Sequence, residues 1–363
     1  MIAMARPASL LFAVFLCCAS VRAQEAAVPP AVEAAPTIDL PLPWKTRGVL
    51  RYAMEQLETK QSAKDREKTL ATSITELRTQ RAGKAGYEIH WVSSDVTHKT
   101  LEGDAALGAL LEPAMKKMEG TPMVVVLKED GTYEAVRNIE QIASRLREVL
   151  APVARAALDA GAKASPAGEL TEAQRKAASE QAQVFLDNYI DGITSPKVLD
   201  AMISRQARNI AFFNGGGLED GASYALDTEL ENPTGGPNFP SKLTFGLWVS
   251  EEDEEDVYIE WKSSIDPEKG AGALIETAKR LFGADLPLDP KELSGKVAIE
   301  DAGFMLVHRP TGKVELYEDE RTVTFGDVVN YERNRMRLLE PEDGHGHDWK
   351  QAPPTAAGPA SGV

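Results

Sequence analysis

The densest group of potential metal ligands is the run Asp343–Asp348, which reads DGHGHD near the C-terminal end. Alternating histidines flanked by aspartates can bind a divalent ion through imidazole and carboxylate groups. A specific metal site also needs ligands held in a fixed geometry, and this run lies in a stretch rich in Gly and Pro. The sequence therefore predicts no more than a weak metal site, with His345 and His347 as its candidate ligands.

Other polar groups in the sequence are explained more simply by a structural role than by catalysis or ligand binding. His90 alternates with apolar residues on a predicted strand, which indicates a solvated strand position. The acidic run Glu251–Asp256 has neither the spaced oxygens nor the Gly of a calcium loop, so we interpret it as a hairpin turn. Asn214–Gly217 is followed by acidic residues rather than by the Lys-Ser/Thr of a phosphate loop, which indicates a flexible connection.

Recognisable catalytic motifs are missing from the chain. It contains no Gly-x-Ser-x-Gly, no His-Glu-x-x-His and no Ser-x-x-Lys with its partner motifs. We therefore predict no catalytic residue and no cofactor, and we favour a protein that is not an enzyme. A hydrolase with an unrecognised site is the third alternative, and a cleft holding buried carboxylates or a buried histidine would support it.

Aromatic residues recur in two halves of the sequence and suggest an internal duplication. Tyr52 and Trp91 of the first half correspond to Tyr224 and Trp261 of the second, each within a short similar motif. A third match pairs an apolar run beginning at Met123 with one beginning at Phe304, in the same order. We expect the four aromatic residues to line equivalent cores or pockets, and plain core is the simpler alternative for each.

Alternating and helical apolar patterns predict the same elements in both halves: three meandering strands, a helix and a β-hairpin. The predicted fold class is α+β, with two tandem repeats of an antiparallel sheet plus helix, joined by a helical segment. The repeats are expected at residues 44–137 and 214–340, and the helical segment at 138–213. For the final stretch, Thr322–Leu339, the pattern fits either a strand or a helix.

The two ends of the chain predict export. Residues 1–23 have a basic start, an apolar run too short to span a bilayer, and a small-x-small cleavage site, so Gln24 is the expected mature N-terminus. Both cysteines, Cys17 and Cys18, lie in this signal, which leaves the mature chain without a thiol or disulfide. Residues 24–43 are expected to form a disordered Ala/Pro-rich linker, and 341–363 a disordered tail.

Charge excludes one class of partner. The formal net charge is −16, and removal of Arg6 and Arg22 with the signal would make it more negative. Such a field repels phosphate backbones, so we expect no nucleic-acid partner. We also expect no membrane span in the mature chain, and a periplasmic or secreted location.

These features favour an exported, non-catalytic binding protein of a bacterial-type cell envelope. Each sheet-and-helix unit would offer an apolar concavity for a hydrophobic small molecule, a lipid or a peptide. The alternative is a structural or protein-interaction module whose partner is an envelope protein.

Overall fold

The computed structural model describes residues 21–23, 37–45, 48–63, 65–103, 105–164, 172–214, 216–230, 232, 237–251, 253–266, 269–270, 272–276 and 297–339. Most of the predicted signal and all of the predicted C-terminal tail, including His345 and His347, lie outside these residues. The strands are β1 (Val21–Ala23), β2 (Thr37–Asp39), β3 (Val49–Gln61), β4 (Arg66–Arg81), β5 (Tyr87–Glu102), β6 (Met123–Leu127), β7 (Tyr133–Val136), β8 (Gly217–Glu219), β9 (Ser223–Leu230), β10 (Phe239–Val249), β11 (Asp256–Ile265), β12 (Val297–His308), β13 (Lys313–Phe325) and β14 (Val328–Leu338).

The helices fall mainly between β7 and β8, in the segment predicted to be helical. They are α1 (Ala105–Met118), α2 (Ile139–Ala164), α3 (Glu172–Ile193), α4 (Pro196–Ile203) and α5 (Arg205–Phe212), with a 3₁₀ turn at Pro43–Lys45. Among the described helices, none combines the length and the apolar character that crossing a bilayer requires. The stretch Thr322–Leu339 forms the end of β13 and the strand β14, in which Glu332, Asn334 and Met336 are buried at alternate positions.

Twelve strands form one continuous antiparallel sheet in the order β1-β9-β10-β11-β12-β13-β14-β3-β4-β5-β6-β7, and β2 pairs with β8 in a separate ribbon. The joint between the two halves of the chain is the pairing of β14 with β3. It runs over ten residue pairs, from Val329 opposite Gln61 to Leu338 opposite Tyr52. Strands far apart in sequence therefore lie side by side in the middle of the sheet.

The predicted fold class of tandem α+β repeats is wrong. The structure is mostly antiparallel sheet, and the sheet does not stop at the end of either predicted repeat. The physical reason is that a unit of five or six strands would expose unpaired backbone groups at its edges. Here two of those edges, β3 and β14, satisfy each other. The domain limits at 44–137, 138–213 and 214–340 stay predictions.

One face of the sheet, which we call the inner face, carries most of the core. Alternation and register place Tyr52, Trp91, Tyr224 and Trp261 on this side. The core cluster that contains them joins residues from β3 to β6 with residues from β10 to β14. Because these strands belong to both halves of the sheet, the inner face forms one core and not two.

Residues 37–45, which we call the cover segment, correct the predicted linker over 37–43. Ile38, Leu40, Leu42 and Trp44 alternate with polar residues and prolines, and all four are buried against the inner-face core. The alternation gives this extended segment one apolar side, and burial of that side against the core holds the segment in place. The remainder of the predicted linker, residues 24–36, lies outside the described part of the chain.

Candidate ligand-binding face

The four predicted aromatic residues are brought together in a single cluster on the inner face. Tyr52, Trp91 and Trp261 are 1%, 7% and 8% exposed, and Tyr224 is partly buried against the same core. The Tyr52 hydroxyl donates to the carbonyl oxygen of Val314 at 3.0 Å, and burial raises the pKa of this tyrosine. Sequence predicted two separate sites, whereas the structure places both pairs around one shared core.

Helix α5 covers the middle of this face. Its residues Ala207, Ile210 and Ala211 lie against Trp91 of β5, and the following Phe213 contacts Trp261 of β11 at a ring-centroid distance of 5.9 Å. Five strands separate β5 from β11 in the sheet, so a flat sheet would hold them ~29 Å apart. An eight-residue helix is only ~12 Å long. The sheet must therefore curl around α5.

A buried ion cluster holds α5 to the sheet. Arg205, the first residue of the helix, lies 2.8 Å from an Asp319 carboxylate oxygen on β13 and 2.9 Å from a Glu332 oxygen on β14. The Asn209 amide, one helical turn later, donates to the Tyr317 hydroxyl at 2.9 Å. Burial raises the pKa of Asp319, and the facing Arg205 guanidinium offsets only part of this rise.

A second ion pair lies beside this cluster on the inner face. Arg321 donates to Asp301 at 2.6 Å between Nε and Oδ1, and its side chain is 3% exposed. A buried charge left without a partner costs several kcal/mol, so each arginine and its carboxylates stabilise one another while they stay buried. The buried charges of these two clusters on the inner face are thus paired with charges of opposite sign.

Beneath α5 lies a cavity of ≈ 10 Å³. It is lined by apolar side chains of the sheet and helix, by Trp44 of the cover segment and Trp91 of β5, and by Asn214. This volume is close to the lower limit for one water molecule. The concavity that sequence predicted is therefore present as an apolar face, and the chain's own cover segment and α5 fill it.

The remaining candidates from sequence have structural partners or lie beyond the described residues. The His90 Nε2 atom lies 3.1 Å from the Glu88 carboxylate. Within the described ranges, no group of three potential ligands is placed to hold a metal ion. His345 and His347 are outside those ranges, so their metal binding stays a prediction.

The buried carboxylates of the inner face do not form a catalytic cleft with the cavity. Asp301, Asp319 and Glu332 each face an arginine, and none of the three lines the cavity beneath α5. A general acid or base must reach a substrate atom directly or through one water molecule. The geometry therefore gives the hydrolase alternative no substrate position at these carboxylates.

Sequence reasoning missed Arg205, Asp319 and Glu332 altogether. One signal was available in β13, where Tyr317, Asp319, Arg321 and Val323 share a face by strand alternation. A charged pair between two apolar residues on one face indicates buried ion pairing. The partner on α5 was not predictable, because no local pattern connects a helix residue to a strand more than one hundred residues later.

No family model matches the chain, and no curated relative does. A solved structure described under lipid–protein interactions in lipovitellin superposes with a TM-score of 0.40 and 10% identity, over 82% of this chain and 25% of that one. The chain thus spans a quarter of the lipovitellin chain. DynF, from the dynemicin biosynthesis pathway of Micromonospora chersina, superposes with a TM-score of 0.18 and 7% identity, over 88% and 93% of the two chains. Neither TM-score defines a shared fold.

Proposed function

We propose that this protein binds a hydrophobic ligand, a lipid or an apolar peptide, on the inner face of its sheet, as an exported non-catalytic carrier. The observation that carries the proposal is the thinness of the cover. A curled sheet with a large aromatic and aliphatic face is covered at its centre by one eight-residue helix and by the extended cover segment. A second sheet or a long helix would be a more permanent cover.

The packing of α5 supports a displaceable cover. Two of the residues it turns towards the cavity are alanines, Ala207 and Ala211, which bury little apolar area. Helices shorter than about twelve residues are marginal on their own, so α5 depends on its contacts with the sheet. A ligand chain that took its place would contact the same aromatic face. The cavity is too small for such a ligand in the present arrangement, so binding requires α5 to move.

A docking module for an envelope protein has less support. The exposed large apolar side chains of the described residues lie on four separate elements, as Val49, Leu101, Met115 and Val184. Single exposed apolar residues are normal, whereas a docking surface needs a contiguous patch. On the opposite face of the sheet, Arg333 pairs with Glu55 and Arg335 with Glu318. These pairs lie on the same face as a row of apolar side chains, in which Trp248, Leu306 and Leu316 are half-buried and Tyr258 is buried.

The test is a fluorescence titration of delipidated full-length protein with diphenylhexatriene, a hydrocarbon probe that emits in an apolar environment. We expect saturable binding, together with faster amide hydrogen exchange in residues 205–212 when the probe is present, because α5 must leave the sheet. A protein that binds neither this probe nor a fatty acid would contradict the proposal. Binding with unchanged exchange in α5 would place the ligand elsewhere.

A further inference from the structure

Two of the residues that line the cavity beneath α5 are tryptophans whose indole nitrogens are buried and, within the described part of the chain, unpaired. Trp44 and Trp91 both line the cavity, and both side chains are buried. Neither Nε1 atom has a hydrogen-bond acceptor among the described residues. A buried N–H group without an acceptor is costly, and most buried polar groups in proteins are paired. Two such groups beside one cavity therefore need an explanation.

The lining of the cavity tells which chemistry would satisfy these donors. The other residues around it are apolar except for Asn214, whose amide nitrogen already donates to the Gly131 carbonyl oxygen at 3.2 Å. No acidic or basic side chain lines the cavity. Two tryptophans whose N–H donors are unpaired within the described ranges, among otherwise apolar residues, match a small acceptor group at the end of an apolar chain.

We propose that the indole N–H groups of Trp44 and Trp91 bind the carbonyl oxygen of an acyl chain, so that the ligand is an acyl lipid and the cavity marks its polar end. This inference rests on the proposed function and specifies its ligand class. Trp44 belongs to the cover segment and Trp91 to the sheet. An acyl head group between them would bind to the cover segment and the sheet at once, while its chain extends along the inner face.

The test compares probes with and without the acyl carbonyl on matched variants. Trp44→Phe and Trp91→Phe keep an aromatic ring and remove the N–H donor. Each should weaken the binding of cis-parinaric acid about tenfold more than the binding of diphenylhexatriene, because only the acid has an acceptor for the lost N–H donor. Trp248→Phe is the control, because Trp248 alternates with Leu247 and lies on the opposite face of the sheet. It should change neither probe.

The methyl ester of cis-parinaric acid separates recognition of the carbonyl from recognition of a carboxylate. Equal losses for acid and ester support the inference. A loss confined to the acid overturns it, because the ester keeps the carbonyl and lacks only the carboxylate. If wild-type protein binds the probes and the Phe variants bind all of them equally well, the inference is overturned while the proposed function stands. Equal weakening for the hydrocarbon probe also overturns it, because the rings then act by packing alone.

A measurement on unaltered protein covers the case in which a variant fails to fold. In proton NMR spectra, palmitate should move two indole N–H signals downfield, and diphenylhexatriene should not. Palmitate binding that leaves all indole signals in place would show that the donors do not face the ligand. If neither palmitate nor diphenylhexatriene binds at all, the proposed function itself fails.

Discussion

At the scale of single residues, the least expected feature is the charge beneath α5. Asp319 is 3% exposed and Glu332 is 7% exposed, and Arg205 contacts both. Such clusters rarely increase stability over apolar packing, although removing one partner is strongly destabilising. We interpret this cluster as the polar attachment of a cover that must also be able to leave.

The raised pKa of Asp319 predicts how stability depends on pH. Because its folded pKa lies above the ordinary value of 3.8, the native state holds this proton more tightly than the unfolded state does. The contribution of this protonated carboxyl to the stability of the native state is largest below pH 3.8 and is lost as the pH rises through the folded pKa. As the pH rises across this window, the unfolding free energy of Asp319→Asn should therefore increase relative to that of wild type, by at most about 1.4 kcal/mol per pH unit.

Urea unfolding between pH 4 and pH 8 measures this difference. The control is Asp227→Asn, the same change at an aspartate whose side chain is 73% exposed. Its unfolding free energy should follow wild type in parallel. A difference for Asp319→Asn that moves in the opposite direction with pH would mean that the attraction of Arg205 outweighs burial.

At the scale of elements, α5 acts as a cover with one charged attachment. Arg205 contacts β13 and β14, while Asn209 adds a single hydrogen bond to Tyr317 one turn later. On the other side, Arg208 pairs with Asp200 of α4, whose carboxylate accepts from the Tyr133 hydroxyl at 2.6 Å. Helix α5 is therefore connected both to the sheet and to the neighbouring helix, and only the first connection has to break for a ligand to enter.

Weakening this attachment should open the cover. We expect Arg205→Gln to destabilise the native state by about 3–5 kcal/mol, because two carboxylates lose their buried cation. Part of this lost stability raises the population of the form in which α5 has left the sheet. Probe association should therefore become about tenfold faster or more. Stopped-flow fluorescence with diphenylhexatriene measures the rate, and thermal unfolding measures the stability.

Arg333→Gln is the matched control for this experiment. It removes an arginine that pairs with Glu55 at 2.8 Å on the other face of the sheet, away from α5. Some loss of stability is expected, with no change in the association rate. Equal acceleration in the two variants would mean that global instability, and not release of α5, admits the probe.

At the scale of the whole molecule, the continuous sheet makes the two halves of the chain depend on each other. β3 uses ten residues to pair with β14, and β14 is supplied by the far end of the sequence. A fragment limited to residues 44–137 would expose that edge of β3. Edge strands of this length favour association with other chains over independent folding.

We therefore expect the fragment 44–137 to remain unfolded or to aggregate, and the full chain to unfold in one transition. Circular dichroism and tryptophan fluorescence during urea unfolding should report the same midpoint for the full chain. A soluble fragment with a cooperative transition of its own would contradict this expectation and would restore the picture of independent units.

Local pattern by itself determined much of the secondary structure. Alternation around Tyr52 and Trp91 predicted strands that β3 and β5 confirm. These predictions succeed because the period of apolar residues reports which face of a strand is buried. The four aromatic residues were predicted to line two equivalent cores or pockets, whereas the structure places them around one shared core.

Only the tertiary structure decided that there is one sheet, that residues 37–45 and α5 cover its inner face, and that Arg205 meets Asp319 and Glu332. Strand pairing joins backbone groups that are the same in every residue, so a sequence pattern shows that a strand has an edge without showing which strand will pair with it. The curl that brings β5 and β11 to one short helix arises from many such pairings together. It therefore leaves no local trace in the sequence.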